Sequence, residues 1–109
     1  MRLLTPNDVG PEVLDEPCTV VVVTSARCKP CKTITPWLEN FASRTDAKVV
    51  LVTSYKDVRP MRFVRGVSRL KGWPYTLVYK QGSLVGHFYG FTTKEEYIER
   101  VTGFMYVPM

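Results

Sequence analysis

The order of apolar and polar positions along the chain predicts a sheet of buried strands with helices packed on it. Residues 19–24, Thr-Val-Val-Val-Val-Thr, and 48–53, Lys-Val-Val-Leu-Val-Thr, are runs without polar alternation, typical of strands covered on both faces. Between them, four apolar residues recur at helical spacing and predict a helix over 29–44: Ile34, Trp37, Leu38 and Phe41. Pro30 suits the first turn of that helix, whereas Pro36 lies further in and should bend it.

The second half of the chain predicts a hairpin and a closing helix. Residues 75–80 and 84–89 are strand-like and are separated by the turn signal Gln81-Gly82-Ser83. A capping box, either Thr92 with Glu95 or Thr93 with Glu96, then precedes an apolar helical stripe of Tyr97, Ile98, Val101, Phe104 and Met105.

Two further segments are weakly helical. Residues 57–65 predict a connecting helix, and residues 11–16 a short helix near the start. We therefore expect one α/β domain over residues 1–109, with a central mixed β-sheet flanked by helices in the order β-α-β, connecting helix, β-hairpin, α.

The composition of the chain limits the classes of protein to which it can belong. The chain has 109 residues, of which 45% are apolar and 12% aromatic, enough for one domain with its own core. Its longest apolar run is too short to cross a bilayer, and the N-terminus lacks an extended apolar signal region. Three cysteines are too few for a disulfide-stapled secreted scaffold. We expect a cytoplasmic protein that does not contact membranes.

Cys28 and Cys31, in the stretch Ser-Ala-Arg-Cys-Lys-Pro-Cys-Lys, admit three interpretations. Zinc normally takes four ligands, which here would require the distant Cys18 and His87. Simple packing of buried thiols explains one cysteine better than two at a strand-to-helix junction. A redox pair explains the spacing, the junction and the surrounding basic residues together.

The redox interpretation assigns different roles to the two thiols. Cys28 at the start of a helix lies near unpaired N–H groups and the positive end of the dipole, which favour a thiolate and should lower its pKa. Arg27, Lys29 and Lys32 add positive charge nearby. Cys31, one helical turn further on, should be more buried and suits the resolving thiol.

Several ordered features together resemble the thioredoxin family from about Pro17 to the last helix. They are the cysteine motif after a valine-rich strand, Pro36, Trp73-Pro74 before a strand, Lys80-Gln81-Gly82 at the turn, and Gly90 after the last strand. The resemblance implies a thioredoxin fold and reversible reduction of protein disulfides by Cys28 and Cys31, without a bound cofactor or metal.

The resemblance also implies how substrate is held. Pro74 is expected to be a cis-proline packed against the active-site disulfide, its neighbouring backbone pairing with substrate. Trp73 and Tyr75 beside it form an aromatic wall for the partner, unless one of them belongs to the core. Gly90 is expected to contribute to the same substrate-binding surface.

The chain departs from the family beside the cysteines and behind them. Arg27 and Lys29 stand where thioredoxins have tryptophan and glycine, and Val22 and Thr53 where they have a buried aspartate and a lysine. The added positive charge should stabilise the Cys28 thiolate and make the protein more oxidising than an ordinary thioredoxin. It also leaves open a glutaredoxin-like role, the reduction of glutathione mixed disulfides; a third alternative is a non-catalytic binding module.

The charge of the chain and its resemblance to the family both help to predict its binding partners. The net charge is +5, and residues 59–71 contain five basic residues and no acid: Arg59, Arg62, Arg65, Arg69 and Lys71. Without a nucleic-acid motif, we expect this segment to steer acidic proteins rather than nucleic acid.

By resemblance, electrons come from thioredoxin reductase or glutathione, substrates are disulfide-containing proteins such as ribonucleotide reductase, and the protein is a monomer. His87 is interpreted as a hairpin residue, and Cys18 as a packing residue without assigned chemistry.

Overall fold

The computed structural model describes residues 2–4, 15–25, 28–53 and 72–106. Its elements are β1 (Arg2–Leu4), β2 (Thr19–Thr24), α1 (Lys29–Arg44), β3 (Lys48–Thr53), β4 (Tyr75–Lys80), β5 (Ser83–Tyr89) and α2 (Lys94–Met105). The predicted bounds of β2, α1, β3 and β4 are confirmed, and β5 begins one residue earlier than predicted. The predicted connecting helix over 57–65 lies outside the described residues. So do residues 11–14 of the predicted N-terminal helix, while Asp15 and Glu16 occupy a turn and a bend.

The strands form one mixed sheet in the order β1-β3-β2-β4-β5. Strands β1 and β2 run parallel to β3, whereas β4 runs antiparallel to β2 and β5 antiparallel to β4. The thioredoxin fold and the mixed sheet expected from the sequence are thus confirmed. Strand β1 was not predicted, because three residues are too few to show a period. It is defined by its pairing with β3, for example Leu3 with Leu51.

The central strand is buried on both faces, as its unbroken valine run indicates. Because side chains alternate along a strand, Val20 and Val22 face the helices while Val21 and Val23 face the other way. All four are fully buried. The cluster on the helix side also contains Ile34 and Leu38 of α1, Phe88 of β5, and Tyr97 and Val101 of α2.

Helix α1 begins directly after β2 and packs on this cluster. Ile34 and Leu38 have no exposed surface, and burying each contributes about 1.5–3 kcal/mol. The helix continues through Pro36 and ends at Thr45, whose backbone is extended. The bend predicted at Pro36 stays a prediction.

The β4–β5 hairpin closes on a two-residue turn. Gln81 and Gly82 both have positive φ, 50° and 83°, as a type I′ turn requires. Further along β5, Gly86 lets α2 approach closely: a Cβ at this position would lie 2.2 Å from the ring of Phe104. The absence of a side chain therefore allows Phe104 to pack on the sheet.

Helix α2 starts at the predicted cap. The hydroxyl of Thr93 accepts a hydrogen bond from the backbone N–H of Glu96 at 3.1 Å, which is one half of a capping box. The carboxylate of Glu96 accepts a hydrogen bond from the hydroxyl of Thr92. Both threonines named by the sequence therefore act at this helix start, with Thr93 as the cap.

Candidate active site

Cys28 and Cys31 are joined by a disulfide at the junction of β2 and α1. Cys28 is the N-cap of α1, with an extended backbone, φ −89° and ψ 106°. Its N–H donates to the carbonyl oxygen of Ser25 at 3.1 Å. Its sulfur accepts a hydrogen bond from the backbone N–H of Cys31 at 3.2 Å. The sulfur of Cys28 thus takes the place of a capping oxygen at a helix start.

The two cysteines differ in access. Cys31 is only 3% exposed, whereas Cys28 is half-buried. Cys31 is also fixed within α1, where its carbonyl oxygen accepts a hydrogen bond from the hydroxyl of Thr35 at 2.9 Å. Cys31 is therefore the more buried of the two cysteines, as expected from the sequence, and the roles of the two thiols stay a prediction.

The surroundings of Cys28 favour negative charge on its sulfur. The first turn of α1 contains no acidic residue, and the side chains of Lys29 and Lys32 are exposed there. Helix N-termini and neighbouring cations are the two features that lower a thiol pKa most often. Arg27, the third basic residue expected at this site, lies outside the described residues.

Pro74 follows a cis peptide bond from Trp73, as predicted. Pro74 is buried, and its carbonyl oxygen accepts a hydrogen bond from the backbone N–H of Gly90 at 2.8 Å. Gly90 adopts φ +74°, a left-handed conformation that other residues rarely take. This bond joins the segment before β4 to the end of β5.

A cavity of about 450 Å³ lies against these residues. It brings together four residues singled out from the sequence: Pro30, Trp73, Pro74 and Gly90. Its other walls come mainly from aromatic side chains of β5, of α2 and of the segment between them, including Tyr89, Tyr97 and Phe91. The cavity therefore adjoins the cysteine motif through Pro30 and is apolar over much of its wall.

Tyr75 does not line this cavity. It is 4% exposed, and its hydroxyl shares a 2.7 Å hydrogen bond with Nδ1 of His87. The two rings are also stacked, with centroids 5.8 Å apart. Of the two aromatic residues flanking Pro74, Trp73 lines the cavity and Tyr75 belongs to the core. His87 is a hairpin residue, as expected.

Tyr89, Glu96 and Arg100 also line the cavity, although the sequence did not mark any of them as a site residue. Tyr89 is 53% exposed, although it ends a strand whose neighbour Phe88 is buried. Glu96 and Arg100 are four residues apart on α2, and the guanidinium of Arg100 lies 4.3 Å from the ring centroid of Phe88. Because α2 has polar residues at many of its positions, the i and i+4 spacing of these two gave no distinctive signal in the sequence.

Val22 and Thr53, the two positions where the resemblance leads one to expect an aspartate and a lysine, lie on β2 and β3. Val22 is fully buried and pairs with Leu51 on β3 and Thr76 on β4. The hydroxyls of Thr76 and Tyr97 are 2.7 Å apart, and burial raises the pKa of Tyr97. Thr53 pairs with Thr24 through its backbone. The described residues near Val22 thus supply hydroxyls rather than a carboxylate.

Cys18 is a free, half-buried thiol just before β2. Burial raises its pKa, and the nearby Lys80 partly offsets this. Within the described ranges, no cluster of three or more His, Cys, Asp or Glu side chains is arranged to hold a metal ion. No helix in the same ranges has the length and apolarity needed to cross a membrane. The basic segment over 59–71 lies outside the described residues.

Comparison with known proteins places this geometry in context. The family model for thioredoxin matches residues 3–102. No curated protein matches the chain in sequence.

Solved thioredoxin structures resemble the whole chain. Thioredoxin from Plasmodium falciparum superimposes with a TM-score of 0.73 at 17% identity, covering 94% of this chain and 98% of the other. Fasciola hepatica thioredoxin gives a TM-score of 0.72 at 23% identity, with 94% and 98% covered. Thioredoxin f2 from Chlamydomonas reinhardtii gives 0.71 at 22% identity, with 94% of each chain covered. At these identities, the likeness shows the fold.

The family match over nearly the whole chain agrees with the redox-type disulfide at a helix start and supports oxidoreductase activity in general. The chain belongs to the thioredoxin family.

Proposed function

We propose that the protein reduces disulfides of partner proteins by dithiol–disulfide exchange, with Cys28 as the nucleophile and Cys31 as the resolving thiol. The observation that carries the proposal is the Cys28–Cys31 disulfide at the start of α1, with its outer sulfur accessible and its inner one buried. Two neighbouring thiols can donate two electrons without a bound cofactor, and we expect none to be required.

The reaction begins with the reduced protein. The Cys28 thiolate attacks one sulfur of the partner's disulfide, forms a mixed disulfide and displaces the other partner sulfur as a thiolate. Cys31, once deprotonated, attacks the sulfur of Cys28 and releases the second partner thiol. Two electrons have then passed to the partner, and the protein holds the Cys28–Cys31 disulfide seen in the structure.

The backbone N–H of Cys31 and the start of α1 support the first step. The N–H that lies 3.2 Å from the Cys28 sulfur donates to a thiolate more strongly than to a neutral sulfur. Lys29 and Lys32 add screened positive charge to the same region. These contacts lower the free energy of the reduced, thiolate form.

The cavity beside Pro30 is the proposed binding surface for the partner chain around its disulfide. Trp73, Pro74 and Gly90 form its floor on the sheet side, and the exposed Tyr89 forms part of its rim. The lining combines aromatic side chains with the polar side chains of Thr92, Glu96 and Arg100, so the surface offers a partner chain both apolar contacts and hydrogen-bonding groups.

The oxidised protein must be reduced again before it can act on another partner. A two-electron donor must reduce the Cys28–Cys31 disulfide, and we propose thioredoxin reductase or glutathione for this step. We further propose a monomer that acts in the cytoplasm on disulfide-containing proteins, with ribonucleotide reductase as one substrate to test.

Insulin reduction tests the proposed activity. The protein is assayed with thioredoxin reductase and NADPH, and in parallel with glutathione, glutathione reductase and NADPH; Cys28→Ser serves as the inactive control. Turnover with the first donor supports the proposal. Reduction of a glutathione mixed disulfide with no insulin reduction would reassign the protein as glutaredoxin-like. Inactivity in every assay, including with dithiothreitol, would indicate a binding module.

A further inference from the structure

A second cavity of about 190 Å³ lies between α1 and α2 and shares no residue with the cavity beside the cysteines. We name it the interhelical groove. It is lined by Trp37, Asn40, Phe41 and Arg44 from α1 and by Lys94 and Ile98 from α2. The four α1 residues are spaced i, i+3, i+4 and i+7, so they form one continuous stripe along the helix.

The floor of the interhelical groove is apolar and firmly held. Trp37, Phe41 and Ile98 are partly buried and pack against the main core. Trp37 is further fixed by an edge-on contact with Phe91, their ring centroids being 5.3 Å apart. The three side chains therefore present a preformed apolar surface that remains partly open to solvent.

The rim of the groove carries two cations and no acid. Arg44 and Lys94 are exposed, and within the described part of the chain neither forms an ion pair or stacks on an aromatic ring. The acidic residues Glu95 and Glu99 are also on α2 but do not line the groove. The lining residues therefore carry net positive charge.

Helix stability does not account for both cations. Arg44 lies in the last turn of α1, where the helix dipole favours a positive charge. Lys94, in contrast, is the first residue of α2, where the dipole disfavours one. Its ammonium group therefore gains no stabilisation from the helix dipole and is open to a negatively charged partner.

We propose that the interhelical groove binds an acidic peptide segment of a protein partner. A leucine-like side chain of that segment packs on Trp37, Phe41 and Ile98, and flanking carboxylates contact Arg44 and Lys94. Nucleic acid fits less well, since proteins that bind it commonly neutralise about 6–10 phosphates, and this groove offers two cations.

One aromatic residue connects the interhelical groove to the cavity beside the cysteine motif. Phe91, which contacts Trp37, also lines the cavity beside Pro30 and Pro74. A partner held in the groove would therefore lie beside the wall of that cavity, while Cys28 caps the end of α1 opposite to Arg44. Binding itself does not depend on the redox function, so we expect it unchanged in the double variant Cys28→Ser/Cys31→Ser.

Titration of the ¹⁵N-labelled protein with a capped peptide, Glu-Glu-Leu-Leu-Glu-Glu, tests the proposal. The two tryptophan indole N–H signals act as internal reporters, because Trp37 lines the groove and Trp73 lines the other cavity. We expect the Trp37 signal to shift and the Trp73 signal to stay in place. The same result is expected for the cysteine-free variant, which separates this test from that of the proposed function.

Charge variants give the matched comparison. Arg44→Gln/Lys94→Gln should weaken peptide binding roughly threefold or more, the range expected for two exposed ionic contacts. Lys48→Gln removes a cation whose ammonium lies 3.9 Å from the Glu16 carboxylate, outside the groove, and should leave the affinity unchanged. A lysine-flanked peptide, Lys-Lys-Leu-Leu-Lys-Lys, should bind more weakly than the acidic one.

Four results would overturn the proposal. The first two are a Trp37 signal that does not shift at millimolar peptide concentration and a shift of the Trp73 signal alone. The third is an Arg44→Gln/Lys94→Gln variant that binds the peptide as tightly as the wild type. The fourth is an eight-nucleotide oligo-dT that shifts the Trp37 signal and binds more tightly than the peptide. The last result would assign the groove to single-stranded nucleic acid instead.

Discussion

The sulfur of Cys28 lies 3.2 Å from the backbone N–H of Cys31, so the first cysteine of the motif caps the helix that contains the second. The same geometry leaves Cys31 3% exposed. Cys28 is thereby the more accessible member of the disulfide, and Cys31 is held inside the helix.

Removing each cysteine in turn should separate the two proposed roles. Cys28→Ser should abolish insulin reduction, because the attacking thiolate is lost. Cys31→Ser should still attack a partner disulfide but should accumulate the mixed disulfide, detectable by mass under non-reducing conditions. Cys18→Ser is the matched control, since it removes a free thiol that is outside the motif, and it should keep wild-type activity. A Cys31→Ser protein that forms no adduct would contradict the assigned order.

Alkylation against pH should distinguish the thiols of the reduced protein. We expect the rate at Cys28 to be half-maximal below about pH 8.5, the ordinary thiol value. Burial raises the pKa of Cys18, so its thiolate and its reaction should appear only at higher pH. Iodoacetamide labelling followed by peptide mass mapping measures both profiles. A Cys28 midpoint at or above the ordinary value would show that the helix start does not activate this sulfur.

The reduction potential should be higher than that of an ordinary thioredoxin, roughly −270 mV. Positive charge beside Cys28 stabilises the reduced thiolate form and so makes the disulfide more oxidising. Because Lys29 is exposed, its share is small: Lys29→Gln should lower the potential by on the order of 10 mV. Equilibration with glutathione redox buffers measures it, with Lys48→Gln as the distant charge control. A wild-type value at or below roughly −270 mV would refute the expectation.

Two glycines should respond to alanine in opposite directions. A Cβ at Gly86 would lie 2.2 Å from the Phe104 ring, so Gly86→Ala should lower the free energy of unfolding by about 1–3 kcal/mol. Gly103 lies within α2 with open space around it, so Gly103→Ala should raise it by about 0.5–1 kcal/mol. Urea denaturation of both variants measures the difference. Equal effects would mean that Phe104 does not pack against β5 as described.

The buried hydroxyl pair behind the site should behave as one unit. Tyr97→Phe leaves the Thr76 hydroxyl without its 2.7 Å partner, which should destabilise the protein by about 1–3 kcal/mol. The double variant Tyr97→Phe/Thr76→Val removes both polar groups and should recover much of that loss. Denaturation of the single and double variants forms the cycle, and strictly additive effects would argue against a direct bond.

The pattern of neighbouring residues was sufficient to predict most of the secondary structure. The valine run of β2, the helical spacing in α1 and the hairpin turn at Gln81-Gly82 each depend on neighbouring residues. The strand and the helix have the predicted bounds, and the turn lies where it was predicted but is one residue shorter, because Ser83 begins β5. Strand β1 was missed because its three residues are defined by backbone pairing with β3, a contact between distant parts of the chain.

Side-chain placement around Pro74 depended on tertiary packing. The sequence alone left Trp73 and Tyr75 as equal candidates for an aromatic wall. In the structure Trp73 lies before β4 and lines the cavity, whereas Tyr75 is the first residue of β4 and lies in the core. The contributions of Tyr89, Glu96 and Arg100 to the same cavity arise because the end of β5 and one face of α2 meet there. No local signal specifies that meeting.

By itself, the sequence determined most of the elements, the redox motif, the family resemblance and the expectation that Cys31 is the more buried cysteine, because spacing, proline positions and turn residues act over a few neighbouring positions. Only the tertiary structure decided which aromatic residues form the cavity and that α1 and α2 enclose a groove with two exposed cations. Those properties result from packing between elements that are far apart in the chain. There, burial and contact distances determine which side chains meet, and the secondary-structure preferences of single residues do not.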